Sequence, residues 1–201
     1  MARPARNPIF ALNFDPDGKS FWTATLDSGD VFKIDIQTGK TLVHFTTGSM
    51  ATGISLKRGP LYAAVTSAGK ANGIYKSVDW GKTWTLMDPT ATTNMNALIQ
   101  DGVTINVKIA VGAQNNVFVG IINNNVPANQ GDLAGLFRSG DGGQTWTTAA
   151  PARPTTTEAC PATFGINPGH QGALHFSLVA DPVNPKVVTS AVIGERHVPQ
   201  L

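Results

Sequence analysis

Short runs of alternating apolar and polar residues, broken by Gly, Pro, Asp and Asn, follow one another along most of this chain. A period of two places the apolar side chains on one face of a strand, and the breaking residues favour turns. Ile9 to Phe14, Ser20 to Thr25, Val31 to Ile36 and Thr41 to Phe45 predict four strands, joined by Asp15-Pro16-Asp17-Gly18, Ser28-Gly29-Asp30 and Gln37-Thr38-Gly39-Lys40. A second unit follows with Ala51 to Leu56, the turn Lys57-Arg58-Gly59-Pro60, Leu61 to Val65, and a hairpin over Gly73 to Trp84. A third contains Asn106 to Val111, Val117 to Ile122 and Gly135 to Arg138. It is longer than the second in two places. One lies between Met87 and Val107, where Asn94 to Gln100 predicts a short helix, and the other is a loop from Asn123 to Ala134. The stretch from Leu174 to Val188, bent at Asp181-Pro182-Val183-Asn184-Pro185, opens a fourth unit. The fold class is therefore all-β.

One hairpin pattern occurs twice. Ser77-Val78-Asp79-Trp80-Gly81-Lys82-Thr83-Trp84 and Ser139-Gly140-Asp141-Gly142-Gly143-Gln144-Thr145-Trp146 both read Ser-x-Asp-x-Gly-x-Thr-Trp. Turn chemistry explains the residue types. An Asp carboxylate accepts bonds from backbone N–H groups just ahead of it, a Gly two places on takes a positive φ, and the Ser hydroxyl adds a second bond to the backbone. Thr and Trp then start the returning strand, the Trp covering the hairpin with apolar surface. No ligand is needed to account for this set. Gly39-Lys40-Thr41 matches Gly81-Lys82-Thr83, so the first unit carries a degenerate copy, with Leu42 where the second has Trp84.

Both segments resemble the Asp-box, or BNR repeat, of β-propeller proteins such as sialidases, sortilin-type receptors and xyloglucanase-like glycoside hydrolases. The resemblance implies that Ser77, Asp79, Gly81, Thr83 and Trp84, with Ser139, Asp141, Gly143, Thr145 and Trp146, are structural residues at the turn between the third and fourth strands of a blade. It implies a single partial propeller over residues 1–201, with blades at about 9–47, 51–88 and 104–150 and an incomplete one at 174–201. A ring commonly needs about four to eight blades. About three and a half therefore point to an arc completed by further blades in a longer chain, or by other copies of itself.

Composition narrows the function classes. With 41% hydrophobic and 14% charged residues, the chain has material for a substantial core but no apolar run long enough to span a membrane. A net charge of +2, with no basic cluster interleaved with aromatics, gives no reason to expect nucleic acid. The single cysteine, Cys160, has no internal disulfide partner and no polarising neighbour in sequence. Met1 to Pro8 holds basic residues without an apolar core, unlike a signal peptide. Gly-Lys-Thr at 39–41 and 81–83 is not a phosphate loop, because the earlier Gly of that motif is replaced by Ile34 and Lys76.

Catalytic candidates are few. Eleven of the thirteen acidic residues are Asp, and most of them, including Asp15, Asp17, Asp30, Asp79, Asp141 and Asp181, have turn roles. That leaves Glu158, Glu195, Asp101 and Asp132 as acids for a paired-carboxylate glycosidase. The loop Pro151 to Gly172 is the densest in reactive side chains, with Arg153, Glu158, Cys160 and His170. A sialidase would need three arginines on a carboxylate and a Tyr–Glu pair. Of the six Arg, Arg138 matches Lys76 of the previous repeat, the Arg-Ile-Pro signature is absent, and Tyr75 alternates like a packing residue. His170 and His175 do not have metal-ligand spacing, His44 and His197 stand alone, and a box with one carboxylate is no calcium loop, so no metal or cofactor is expected. The leading expectation is a non-catalytic, extracellular or cell-surface segment of a larger protein that binds a glycan or protein ligand. The alternative is the N-terminal part of a BNR-type glycoside hydrolase.

Overall fold

A computed structural model describes residues 9–15, 18–25, 30–46, 50–56, 60–66, 71–80, 82–125, 129–149 and 172–191. Three four-stranded antiparallel sheets follow one another along the chain, each a meander in sequence order. The first contains β1 (Ile9–Phe14), β2 (Ser20–Thr25), β3 (Asp30–Asp35) and β4 (Thr41–Thr46). The second contains β5 (Met50–Leu56), β6 (Leu61–Thr66), β7 (Gly73–Ser77) and the two-residue β8 (Thr85–Leu86). A helical turn, α1 (Met95–Leu98), leads into the third sheet: β9 (Thr104–Val111), β10 (Val117–Asn125), β11 (Asn129–Ser139) and β12 (Thr147–Thr148). After α2 (Gly172–His175), β13 (Ser177–Ala180) pairs with β14 (Val188–Ala191).

Strand alternation gives the sheets apolar faces, and the faces that meet between successive sheets bury one another. Trp22, Ala24 and Val31 of the first sheet pack with Leu61 of the second. Tyr62, Ala64 and Ile74 on the second sheet's other face meet Val117, Val119 and Phe137 of the third. The third sheet's far face sets Phe118, Ile122 and Leu136 against Phe176, Leu178 and Ala180. The first strands of the successive sheets also neighbour one another in order, β1 beside β5, β5 beside β9 and β9 beside β13.

The register reveals a repeat finer than the turn motif. On the second and third strands of each four-stranded sheet, an aromatic residue stands directly opposite a cation: Trp22 with Lys33, Tyr62 with Lys76, and Phe118 with Arg138. Aligned on these pairs, Phe32, Tyr75 and Phe137 are equivalent.

Several expectations need correction. The segment 123–134 is mostly strand, not loop, because β10 and β11 extend into it with Asn124 opposite Gln130 and Asn125 opposite Asn129. Ladder bonds outweigh the poor strand propensity of Asn, and shifts at Ile121/Ile122 and Asn123/Asn124 absorb the irregularity. Leu174 and His175 belong to α2 and not to a strand. There the chain turns so that the Gly172 carbonyl accepts Asn106 Nδ2 at 3.0 Å while Phe176 enters the core. In the first sheet's degenerate hairpin, Thr38 and not Thr41 engages the Asp: its N–H and hydroxyl both reach Asp35 Oδ1 at 2.7 Å. Leu42, placed opposite Trp84 in the repeat, is 54% exposed.

Phe137 is 1% exposed, whereas Phe32 is only partly covered. Phe137→Ala is expected to cost about 3–5 kcal/mol and Phe32→Ala, in dilute solution, about 1–2 kcal/mol, read from urea midpoints at unchanged slope.

Candidate functional site

The two boxes close in nearly the same way. In the first, the Ser77 hydroxyl donates to Asp79 Oδ1 at 2.8 Å, the Thr83 N–H reaches the same oxygen at 2.9 Å, and the Thr83 hydroxyl reaches Oδ2 at 2.6 Å. In the second, the Ser139 hydroxyl donates to Asp141 Oδ1 at 2.7 Å, joined by the N–H groups of Gln144 and Thr145, each at 2.9 Å, while the Thr145 hydroxyl takes Oδ2 at 2.6 Å. The Gly143 N–H returns a bond to Ser139 Oγ at 2.7 Å. Gly81 lies outside the described residues.

These bonds fix the charge state. The Thr83 hydroxyl, helped by its N–H and by Ser77, holds Asp79 down to about 2 against an ordinary 3.8. Burial pushes Asp141 up, but the bonds from Thr145, Ser139 and Gln144 together outweigh it and bring this group also to about 2. Such carboxylates remain ionised throughout the physiological range and carry no proton for acid catalysis.

The left-handed Gly expected two places after the box Asp is present in the second box, and the residue before it is left-handed as well. Besides Gly143 at φ +94°, the residue directly after each box Asp has positive φ, Gly142 at 74° and Trp80 at 62°. This position faces the preceding sheet. The Lys33 ammonium lies 5.2 Å from the Trp80 ring centroid and 5.6 Å from that of Trp22, and the two indoles stack at 6.1 Å. In the second box the Gly142 carbonyl accepts both Lys76 Nζ at 2.7 Å and the Tyr62 hydroxyl at 3.0 Å. Burial, then the nearby Asp141 charge, pushes the Tyr62 hydroxyl up to about 12, so it stays a donor. Arg138 continues the series, donating to Asn116 Oδ1 at 2.6 Å and to the Pro185 carbonyl at 3.4 Å.

The box tryptophans likewise serve the contacts between sheets. Trp146 is 5% exposed in the core shared by the second and third sheets, its Nε1 on the Gly143 carbonyl at 3.1 Å, and Trp84 packs on the cluster holding Trp22. Neither acts only as a cover for its own hairpin. Sequence reasoning also missed Asp88, 3% exposed, which receives the N–H and hydroxyl groups of both Thr92 and Thr93. The signal was the Thr pair following Asp-Pro.

Of the acids left over for catalysis, Asp101 is exposed in the turn before β9, and Asp132 is a β11 residue opposite Asn123. Asn123 is opposite Thr104, so both acids fall at the same end of the third sheet. Glu158 and Glu195 lie outside the described residues, as do Cys160, His170, His197 and every Arg except Arg138. Among the described residues no three His, Cys, Asp or Glu form a metal-binding group, and no helix is long and apolar enough to cross a membrane. His44 Nε2 is 2.9 Å from Asp30 Oδ1, and Asp181 receives the N–H groups of Val183 and Asn184, as a turn residue would.

Fold and site together define a series of stacked antiparallel meanders whose third and fourth strands are joined by Asp-clasped turns. A scan against protein-family models finds no match, and a search of curated proteins finds none of significant similarity.

Because the folded-state values of Asp79 and Asp141 lie below the ordinary one, their contribution is complete above about pH 4 and is lost as pH falls toward 2. Melting temperature measured against pH should drop across that window. Asp141→Asn should flatten the drop and, with the exposed carboxylate discounted for solvent, cost about 1 kcal/mol at neutral pH. Gly143→Ala should be the more damaging change, since its Cβ would lie 2.8 Å from Met87 Sδ at a φ of +94°.

Proposed function

We propose that the chain is an Asp-box β-propeller segment of about three and a half blades, acting as a non-catalytic binding or scaffolding module outside the cell or at its surface. The observation that carries this reading is the ordered contact of β1, β5, β9 and β13, the relation expected of innermost strands set around an axis. The boxes sit at the opposite end of each meander, between third and fourth strands, with their carboxylates fully engaged in turns. In such a module the ligand, a glycan or a protein surface, meets the loops between strands and blades, where insertions are tolerated.

The test is a glycan array run beside turnover assays on sialosides and β-glucans. Binding without turnover is the expected result. Turnover abolished in Glu158→Gln, Glu195→Gln, Asp101→Asn or Asp132→Asn would replace this reading with that of a glycoside hydrolase.

A further inference from the structure

Four places in the chain put Asp or Asn directly before Gly: Asp17-Gly18, Asn72-Gly73, Asp101-Gly102 and Asp141-Gly142. In such a pair the Gly nitrogen can reach the side-chain carbonyl carbon and close a five-membered ring, because no Cβ on the second residue obstructs the approach. Ring closure needs both reacting groups unengaged, and the fold treats the four pairs differently.

Asp141-Gly142 is tied at both ends. Its carboxylate accepts bonds from Ser139, Gln144 and Thr145, and the Gly142 N–H donates to the Asn115 carbonyl at 2.9 Å. Gly73 is buried as the first residue of β7, opposite Val65, with Asn96 Oδ1 2.6 Å from where its Cβ would be. The Gly18 N–H donates to the Asp15 carbonyl at 2.9 Å, and Asp17 lies outside the described residues.

Asp101-Gly102 is the exception. Both residues are exposed in the turn between α1 and β9. The Gln100 carbonyl closes this turn by accepting the N–H groups of Val103 at 3.3 Å and Thr104 at 2.9 Å, passing over Gly102. Among the described residues no hydrogen bond engages the Asp101 carboxyl or the Gly102 N–H. Gly102 has φ +70° and open space where a Cβ would be. The chain is anchored on either side by Ile99 and Thr104, both buried, so the turn can change while its flanks stay in place.

We propose that Asp101 rearranges spontaneously to an isoaspartyl residue, and that the chain in this form is a substrate for an enzyme that methylates isoaspartyl carboxylates. The Gly102 nitrogen bonds to Asp101 Cγ, while its proton and the carboxyl hydroxyl leave as one water. Water then opens the ring at either carbonyl. Attack at Cγ restores Asp. Attack at the main-chain carbonyl breaks its bond to the Gly102 nitrogen, so the chain runs through Cγ and the α-carboxylate is released. One water leaves and one returns, with no change of oxidation state. The methyl group that the enzyme transfers to this carboxylate comes from S-adenosylmethionine.

The test is to hold the folded full chain warm at neutral pH and sample it over time with an isoaspartyl methyltransferase and methyl-labelled S-adenosylmethionine, locating the altered peptides by mass spectrometry. Isoaspartate should accumulate at Asp101 at least about tenfold faster than at Asp141, where more than one hydrogen bond must break before the ring can close. In urea that unfolds the chain, the two rates should converge, because the clasp on Asp141 is gone. Asp101→Glu, whose longer side chain cannot close a five-membered ring, should lose the labelling at 101 with its melting temperature unchanged. An Asp101 peptide that stays unaltered, equal rates at Asp101 and Asp141 in the folded chain, or undiminished labelling at 101 in Asp101→Glu would each overturn the assignment.

Discussion

The contact between adjacent sheets is the constraint on which this structure depends. A meander whose fourth strand is two residues long, as in the second and third sheets, has little to hold it alone. Its stability comes from burying apolar residues on both faces, which requires a sheet on each side at the spacing that side-chain packing sets. The large, nearly inaccessible residues Trp22, Tyr62, Phe118 and Phe137 all lie in these layers, each completed by the next segment of chain.

The turns solve a different problem with one device. A tight reversal leaves backbone N–H groups unpaired, and a carboxylate two to five residues back accepts one or more of them. Asp79 and Asp141 do this in the boxes, Asp35 in the first sheet's hairpin, Asp88 before α1, and Asp181 between β13 and β14. Hydroxyls from Thr83, Thr145, Thr38, Thr92 and Thr93 add charge-assisted bonds. The abundance of Asp over Glu is thus a consequence of turn geometry.

The turns and most strands were legible in the sequence because their signals are local. Alternation located β1, β2, β6 and β7 to within a residue or so, and the repeated Ser-x-Asp-x-Gly-x-Thr-Trp located the clasps. What could not be read depends on residues far apart. Asn123 to Asn125 and Asn129 to Ala134 have the composition of a loop, yet the ladder between β10 and β11 makes them strand. Trp84 and Trp146 look like covers for their own hairpins, but the neighbouring sheet decides where they go. The opposition of Trp22 to Lys33, Tyr62 to Lys76 and Phe118 to Arg138 exists only once register is known. The acids proposed for catalysis stood out mainly because no turn explained them, which is a weak criterion.

The chemistry at the tip of each box shows that geometry, more than any single bond, is what the repeat maintains. At one position the first box has Trp80 and the second Gly142, both left-handed. A side chain there costs roughly 1–2 kcal/mol that Gly avoids. Trp80 recovers a similar amount by stacking on Trp22, about 0.5–1.5 kcal/mol, and by its cation–π contact with Lys33, about 0.5–1 kcal/mol. Gly142 avoids the strain and instead exposes its carbonyl to Lys76 and Tyr62. The two solutions share a cation and an aromatic arriving from the sheet before. The turn is therefore shaped to meet that sheet, and the box is as much a part of the contact between sheets as of the hairpin that contains it.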